Sequence, residues 1–443
     1  MARVVVVGGG FGGMASAARL AKLGHEVTLV EAAGQLGGAL GYVEQDGFRW
    51  DAGPTSTMLP AVIRDLFRKS GRAAEKEIDL VPVEPVRQHR FTDETVLDLP
   101  GGSRAGQLDA VDAALGNGAG GRWASYVDDF AETWEVLRKD WFERPWSEEQ
   151  ASKEARDLLD SRLTLHKLVN REFKDDRLQT LATHHVRFDG HDPRNVPAWM
   201  GLWSYLEQNF GSWTLPGGMG QLTAVLGERL ATRGVTVLTS TRAADLIVEN
   251  ARVVAVRIEQ TDGQVLDLPA ENVVVAIDPR RLPTLAGYVE RTMPVIPPVI
   301  SYIGLVGEVP DLPAEVVLHG DPKRDPTLVL RTNGTAPSGA HAWTVLGRGQ
   351  LAEDIVVSLH RRGIKVRELV ETRVDKSPRD LVQDWNGSPL GVLWQGRGTV
   401  RNRLGTSTPI SGVYVAGAHT TPGSGLPSVG LSAALVAQLI GPA

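Results

Sequence analysis

The chain has 443 residues, enough for about two or three domains around a large core. Its formal net charge of −6 provides no excess of positive charge for nucleic acid, and no apolar run is long enough to cross a bilayer. Cysteine is absent, which excludes disulfides, thiolate metal sites and attachment of a cofactor through cysteine. We therefore expect a cytoplasmic globular protein without a nucleic-acid partner and without stable membrane insertion.

The N-terminal segment predicts a strand, a tight turn and a helix. Residues 4–7 form a β-branched run, typical of a strand buried in a parallel sheet. Gly8, Gly10 and Gly13 follow with the spacing G-x-G-x-x-G, which suits a tight turn, close approach of a pyrophosphate and close packing of the next helix. Residues 14–23 are rich in alanine and predict that helix.

A second strand over residues 27–30 ends at Glu31, where a carboxylate can accept hydrogen bonds from ribose hydroxyls. The unit predicts a dinucleotide site, because the helix start also offers amide groups and a positive dipole end to a diphosphate. The alternative is a glycine-rich turn in an ordinary βαβ unit. Gly116, Gly118 and Gly121 repeat the spacing, but no strand pattern precedes them, so they predict a loop.

Large apolar side chains recur at three- or four-residue steps in the middle of the chain, which predicts one apolar face of a helix. The residues are Trp123, Tyr126, Phe130, Trp134, Leu137 and Trp141. We interpret them as a core face, and the lining or entrance of a site for a hydrophobic substrate is the alternative. The mixed charges of residues 148–177 predict a solvated helical face.

Three histidines lie close together at His184, His185 and His191, but without the pairing at four-residue spacing with a carboxylate that a zinc helix needs. We predict no metal site. The sequence "GHDPRNVPAW" around His191 predicts a capped turn before a helix, which favours a structural role.

The C-terminal segment predicts a second glycine-rich loop at a helix start. Residues 413–416 predict a strand, residues 417–425 a tight loop, and Pro427 the first turn of a final helix. Such a helix end can stabilise negative charge on a ligand. A further glycine pair, Gly37 and Gly38, lies just after the second strand.

These segments resemble the phytoene desaturase-like branch of the FAD-dependent amine oxidase superfamily. The match includes the N-terminal fingerprint with "LGG", then "GFRWDAGPT", and "YVAGAHTTPGSGLPSVGLSA", with "WTLPGGMGQLTAVLGERL" and "NVVVAIDPRRL" between them. The resemblance implies an α/β fold. It implies a Rossmann-like FAD-binding domain of the GR2 type (residues 1–100, 210–284 and 386–443), interleaved with an α+β substrate domain (residues 101–209 and 285–385).

The resemblance also implies non-covalent FAD and no metal. The implied cofactor contacts are Gly8, Gly10, Phe11, Gly12, Gly13, Glu31, Gly37, Gly38, Ala39, Pro54, Thr55, Ala243, Gly417, Ala418, Gly425, Leu426, Pro427, Ser428 and Val429. Ala39 stands where the family usually has arginine. Either another cation such as Arg19 or Arg49 serves, or the diphosphate relies on backbone groups alone and FAD is held less tightly.

For the substrate side, the resemblance places four aromatic residues toward the substrate: Trp199, Trp203, Tyr205 and Trp213. The resemblance places the loop of residues 417–427 around the flavin ring. His419 lies in this loop and is the candidate catalytic base, with packing or a backbone hydrogen bond as the alternative. Amine oxidases of the superfamily carry a lysine near flavin N5, and Ser301 or its neighbours stand there instead.

The implied function is the dehydrogenation, a C–C desaturation, of a hydrophobic or amphipathic small molecule by hydride transfer to flavin N5. One alternative is a flavin amine or porphyrinogen oxidase on the same scaffold. The other is a lipid-binding protein without FAD, like the Rab GDP-dissociation inhibitors, which the intact glycines and Glu31 argue against. A homodimer is left open.

Overall fold

The computed structural model describes residues 1–116, 118–321, 325–348, 351 and 353–443. Its strands in chain order are β1 (Arg3–Val7), β2 (Glu26–Val30), β3 (Tyr42–Gln45), β4 (Phe48–Asp51), β5 (Val81–Pro82), β6 (Arg87–Arg90), β7 (Val96–Leu99), β8 (Trp213–Thr214), β9 (Thr236–Leu238), β10 (Thr241–Glu249), β11 (Arg252–Gln260), β12 (Val265–Pro269), β13 (Asn272–Val275), β14 (Val299–Val306), β15 (Glu315–Leu318), β16 (Thr327–Gly334), β17 (Ala340–Arg348), β18 (Val370–Lys376) and β19 (Val413–Val415).

The α-helices in chain order are α1 (Phe11–Lys22), α2 (Pro60–Ser70), α3 (Arg104–Leu115), α4 (Ala119–Asp128), α5 (Phe130–Leu137), α6 (Lys153–Leu159), α7 (Leu165–Glu172), α8 (Asp176–Phe188), α9 (Leu202–Phe210), α10 (Gln221–Thr232), α11 (Pro283–Ala286), α12 (Ile355–Arg361), α13 (Pro378–Asp384), α14 (Gly398–Asn402) and α15 (Leu426–Ile440). None of the described helices is long and apolar enough to cross a membrane.

A five-stranded parallel sheet carries the N-terminal unit, in the order β19-β13-β1-β2-β9. The valines of β1 are at most 3% exposed, because helices cover one face and the antiparallel strands β10–β12 pack on the other. Helices α1, α2, α10 and α15 pack against each other on the first face. The carboxyl ends of β1, β2, β13 and β19 meet at one edge, as the predicted Rossmann-like fold requires.

A second sheet has seven strands in the order β18-β14-β17-β16-β15-β6-β7. All neighbours are antiparallel except β15 and β6, which pair in parallel through Val316–Leu318 and Gln88–Arg90. Arg87–Leu99 therefore belong to this sheet. Residues 1–100, which we assign to the FAD-binding domain, thus include two short strands of the other sheet, and the domain boundaries stay a prediction.

Helices α3 to α9 form a layer with its own apolar core. The predicted stripe lies in α4, α5 and a π-helical turn at Arg138–Phe142, so it is not one uninterrupted α-helix. Trp123 is 2% exposed and Trp141 is fully buried, which confirms the interpretation as a core face. The charged segment 148–177 forms two short helices and the start of α8, and Leu159, Leu165 and Val169 are buried in it.

The second glycine repeat is partly helical rather than a loop throughout. Gly116 follows α3 and Gly118 precedes α4, both with positive φ, of 102° and 82°. Gly121 lies within α4, which contradicts the loop prediction at that position. The repeat follows a helix and not a strand, so it lacks the setting of a dinucleotide site.

Candidate active site

A cavity of about 750 Å³ is lined by residues of both sheets. One part of its wall is the edge where β1, β2, β13 and β19 end, and the other part comes from the inner face of the seven-stranded sheet, from α8 and α9 and from the segment after α13.

The fingerprint glycines have the geometry that their spacing predicts. Gly8 has φ 103°, and its amide donates to Val30 O at 2.8 Å, which extends the pairing of β1 with β2 into the turn. A Cβ on Gly13 would lie 1.8 Å from Gly8 O, so only glycine lets α1 pack this close. A Cβ on Gly10 would meet nothing nearer than Gly37 O at 3.9 Å. The space over Gly10 is therefore open to a phosphate, beside the unpaired amides at the start of α1.

Glu31 lies on the cavity wall and also holds the neighbouring backbone. Its Oε2 accepts from Gly9 N at 2.6 Å and its Oε1 accepts from Ala33 N at 2.7 Å. Each carboxylate oxygen can still accept a second hydrogen bond. Thr241 N donates to Glu31 O at 2.9 Å, which brings the start of β10, and with it Ala243 on the cavity wall, next to Glu31.

Neither cation suggested as a substitute at position 39 faces the cavity. Arg19 is 5% exposed and pairs with Asp65 at 2.8 Å, and Arg49 lies over the Tyr42 ring at 4.6 Å. Arg242 does line the cavity, and its guanidinium pairs with Glu259. Gly10, Gly37 and Gly38 line the cavity near Ala39, and the Gly37 amide is already donated to Gly9 O at 2.9 Å.

The C-terminal loop and helix form the part of the wall next to the start of α1. Gly417 N donates to Ser432 Oγ at 2.8 Å, which ties the loop to α15. Helix α15 begins at Leu426, and Pro427 lies in its first turn as predicted. Leu426, Pro427 and Val429 line the cavity. Ser428 is 1% exposed and does not line the cavity.

His419 is buried on the cavity wall with one ring nitrogen unpaired. Its Nε2 lies 2.9 Å from Ser388 O, so Nε2 carries a proton and donates it to this carbonyl. Nδ1 has no hydrogen-bond partner among the described residues, and Asp278 Oδ1 is 3.8 Å away. Burial lowers the pKa of His419, although Asp278 opposes this shift. The ring is thus held neutral with a lone pair on Nδ1.

Only Trp203 of the four predicted substrate aromatics lines the cavity. Trp199 packs between Trp141 and Trp394 in the helical core, and Tyr205 packs against that core from outside. Trp213 donates from Nε1 to Phe210 O at 2.7 Å and contacts the Arg64 guanidinium. None of these three side chains lines the cavity, and their contact with substrate stays a prediction.

The strand that matches the lysine-bearing strand of amine oxidases presents other groups. Ser301 is fully buried and donates to Asp375, while Ile300 lines the cavity. Tyr302 donates to Ala52 O at 2.8 Å. Among the described residues that line the cavity there is no lysine.

The other predicted cofactor residues fall into two groups. Those on the cavity wall are Gly8, Gly10, Phe11, Gly12, Glu31, Gly37, Gly38, Ala39, Pro54, Thr55, Ala243, Gly417, Ala418, Gly425, Leu426, Pro427 and Val429. Gly13 lies beneath the turn, where it supports packing and not ligand contact.

Sequence reasoning missed a charged part of the wall. It contains Arg87, His185, Asp189, Glu207, Glu315, Arg331 and Arg348. These residues lie on β6, α8, α9 and three strands of the second sheet, so no local spacing brings them together. His184 and His185 also line the cavity, whereas His191 lies apart and accepts from Trp394 N at 3.4 Å through Nδ1.

Comparison with known proteins identifies the family. The family model "Flavin containing amine oxidoreductase" matches residues 11–441. A 4,4'-diapolycopene oxygenase from Methylomonas sp. is 24% identical over 99% of this chain and 98% of its own length. A hydroxyneurosporene desaturase from Cereibacter sphaeroides is 27% identical over 99% of this chain and 97% of its own length.

Solved structures share the fold of this chain. The structure of cyclohexylamine oxidase from Brevibacterium oxydans superposes with a TM-score of 0.66 at 16% identity, covering 99% of both chains. The glycine fingerprint, the C-terminal glycine-rich loop and the full-length match all indicate the same family. The chain belongs to the flavin containing amine oxidoreductase family and is a phytoene desaturase-like, flavin-dependent oxidoreductase.

Proposed function

We propose that the flavin is non-covalent FAD and that the enzyme introduces a C=C bond into a hydrophobic or amphipathic small molecule. The observation that carries the proposal is the single cavity, which is lined both by the dinucleotide fingerprint and by residues of the seven-stranded sheet, α8 and α9. A hydride leaves one carbon, a proton leaves its neighbour, and the electron pair of the second C–H bond becomes the new π bond.

The described residues fit FAD rather than a smaller flavin. The open space over Gly10 suits the diphosphate, and Glu31 and Ala243 lie where a ribose and an adenine would extend. FMN would leave that half of the cavity without a ligand. Non-covalent binding is supported by the absence of cysteine and by the buried hydrogen bond that His419 makes to Ser388. When bound, FAD supplies a hydride acceptor at N5 of its isoalloxazine ring.

The residues of the chain have three tasks in this reaction. The amides at the start of α15 face the cavity and stabilise negative charge there. Ile300, Leu346 and Leu381 form an apolar part of the wall that excludes water. His419 Nδ1 is the candidate proton acceptor, because its lone pair is free and Asp278 would stabilise the imidazolium that forms.

The substrate proposal follows from the names of the relatives and from the wall. The relatives are named for diapolycopene and hydroxyneurosporene, so a long apolar or amphipathic molecule is favoured. Absence of lysine from the described wall disfavours an amine oxidase. A porphyrinogen oxidase stays the alternative on the same scaffold, and a GDI-like lipid-binding role is disfavoured by the open fingerprint. We propose a cytoplasmic location and leave a homodimer open.

Anaerobic mixing of the yellow protein with candidate substrates tests this function. We expect an oxidisable apolar or amphipathic compound to bleach the flavin absorption and to lose two hydrogen atoms, detected by mass spectrometry. Putrescine and cyclohexylamine, the amine controls, should leave the absorption unchanged. Bleaching by amines with release of ammonia would replace the proposal with an amine oxidase.

A further inference from the structure

The part of the cavity wall formed by the seven-stranded sheet, α8 and α9 contains a network of paired charges. Arg87 Nη1 lies 2.7 Å from Glu207 Oε2, and its Nε lies 3.1 Å from Glu315 Oε1. Arg331 Nε lies 3.0 Å from Glu315 Oε2, and its Nη1 donates to Gly53 O at 2.8 Å. His185 Nε2 lies 3.6 Å from Glu207 Oε2. Each carboxylate of this network has a guanidinium partner, and Glu207 Oε2 is the one oxygen named here that makes no hydrogen bond with the described residues.

Asp189 and Arg348 lie next to this charged network, and neither of them forms an ion pair within the described residues. The Asp189 carboxylate lines the cavity, and it makes no hydrogen bond or ion pair with any described residue. Arg348 donates from Nε to Phe188 O and from Nη1 to Ile296 O at 2.9 Å, both neutral carbonyls. A Cβ on Gly190 would lie 2.5 Å from Arg348 Nη1, so the guanidinium lies directly against the turn that carries Asp189.

Burial makes both of these charges costly. It raises the pKa of Asp189, which Arg348, His185 and Arg331 oppose, and it lowers the pKa of Arg348 to about 10. A ligand that hydrogen-bonds to both groups would offset that cost.

The chemistry of the pair selects among ligands. A carboxylate would be repelled by Asp189 and an ammonium group by Arg348, and a hydrocarbon would leave both groups without a partner. A hydroxyl can donate to the carboxylate and accept from the guanidinium at the same time. We propose that Asp189 and Arg348 form a subsite for a hydroxyl group, so that the substrate is a hydroxylated amphipathic molecule and not a pure hydrocarbon. This inference rests on the function proposed above.

The test uses FAD-loaded protein and pairs of probes that differ by one hydroxyl: cyclohexanol and cyclohexane, geraniol and dimethyloctadiene, and farnesol and its deoxy hydrocarbon. Dissociation constants are measured from the change in the visible spectrum of the flavin. In at least one pair we expect the alcohol to bind about ten-fold or more tightly than the hydrocarbon, as a hydrogen bond to a charged group would give. Equal binding within every pair, or no binding of any alcohol, would overturn the subsite.

Variants show whether Asp189 causes the preference. Asp189→Leu should remove the preference for the alcohol while hydrocarbon affinity stays the same or rises, and Asp189→Asn, which keeps an acceptor, should restore part of it. Asp157→Leu, at an exposed position of α6, is the matched control and should behave like wild type. A preference that survives Asp189→Leu contradicts the proposal. A colourless wild-type protein that takes up no FAD would instead contradict the proposed function.

Discussion

At the scale of single residues, Glu31 combines a structural and a binding role. Its two oxygens accept from the amides of Gly9 and Ala33, so it fixes the turns on both sides of the cavity edge. The same oxygens face the cavity and retain lone pairs for ribose hydroxyls.

Glu31→Ala should therefore weaken FAD binding by about 1.5–3 kcal/mol, the range for a hydrogen bond to a charged group. Titration of the apoprotein with FAD by calorimetry measures the change. Glu26→Ala, at an exposed position on the same strand, is the control and should bind FAD like wild type. Unchanged affinity in Glu31→Ala would show that the ribose lies elsewhere.

The buried histidines predict acid sensitivity. Burial lowers the pKa values of His191 and His319 to about 3, below the ordinary value of about 6.5. Between these values the unfolded chain binds more protons than the folded one. The stability is therefore present above about pH 6.5 and is lost as the pH falls, by about 1.4 kcal/mol per pH unit for each histidine.

His191→Asn should make this loss shallower by about one proton, because Asn cannot titrate while its Oδ1 can still accept from Trp394 N. Urea unfolding between pH 6.5 and 4.5 gives the slopes. His166→Asn on α7 is the control. Equal slopes in wild type and His191→Asn would mean that His191 is already protonated in the folded protein.

These residues also show what the sequence allowed. Gly8, Gly13 and Glu31 were predictable because a tight turn, a close helix contact and a strand end are local requirements. Asp189 and Arg348 were not, since α8 and β17 are far apart in sequence and only the tertiary fold brings them together. Ser428, a predicted cofactor contact, is buried off the cavity wall, because the sequence predicts a helix start but not the rotation of the helix about its axis.

At the scale of elements, the junction of β1 and α1 separates packing from binding. A Cβ at position 13 would collide with Gly8 O, whereas a Cβ at position 10 would only touch Gly37 O at 3.9 Å. The helix boundary agrees with this: α1 begins at Phe11, three residues before the predicted start, so both glycines lie at its N-terminal turn. The apolar stripe was predictable from its period, but its break into α4 and α5 was not.

Two alanine substitutions test this junction. Gly13→Ala should destabilise the apoprotein by about 1–3 kcal/mol through overpacking. Gly10→Ala should leave apoprotein stability within about 0.5 kcal/mol, as for a substitution without a clash, while FAD affinity falls at least ten-fold because the methyl group fills the phosphate space. Each variant is the control for the other, in urea unfolding and in FAD titration. If Gly10→Ala binds FAD normally, the diphosphate does not lie over Gly10.

At the scale of the whole molecule, function depends on two sheets that share one cavity. The parallel sheet and its helices were predictable from the two glycine-rich ends and the family resemblance. The seven-stranded sheet was not fully predictable, because β6 pairs with β15, more than 200 positions later in the chain, and β7 joins the sheet only through β6. The pairing of β6 with β15 places Arg87 beside Glu315, and both side chains belong to the charged part of the cavity wall.

Identification of the bound cofactor tests the central claim most directly. The purified protein should be yellow, and acid precipitation should release the flavin into solution, where chromatography identifies it. We expect about one FAD per chain in the supernatant and no flavin on the precipitated polypeptide. FMN in the supernatant, flavin that stays with the polypeptide, or a colourless protein that FAD cannot reconstitute would contradict it.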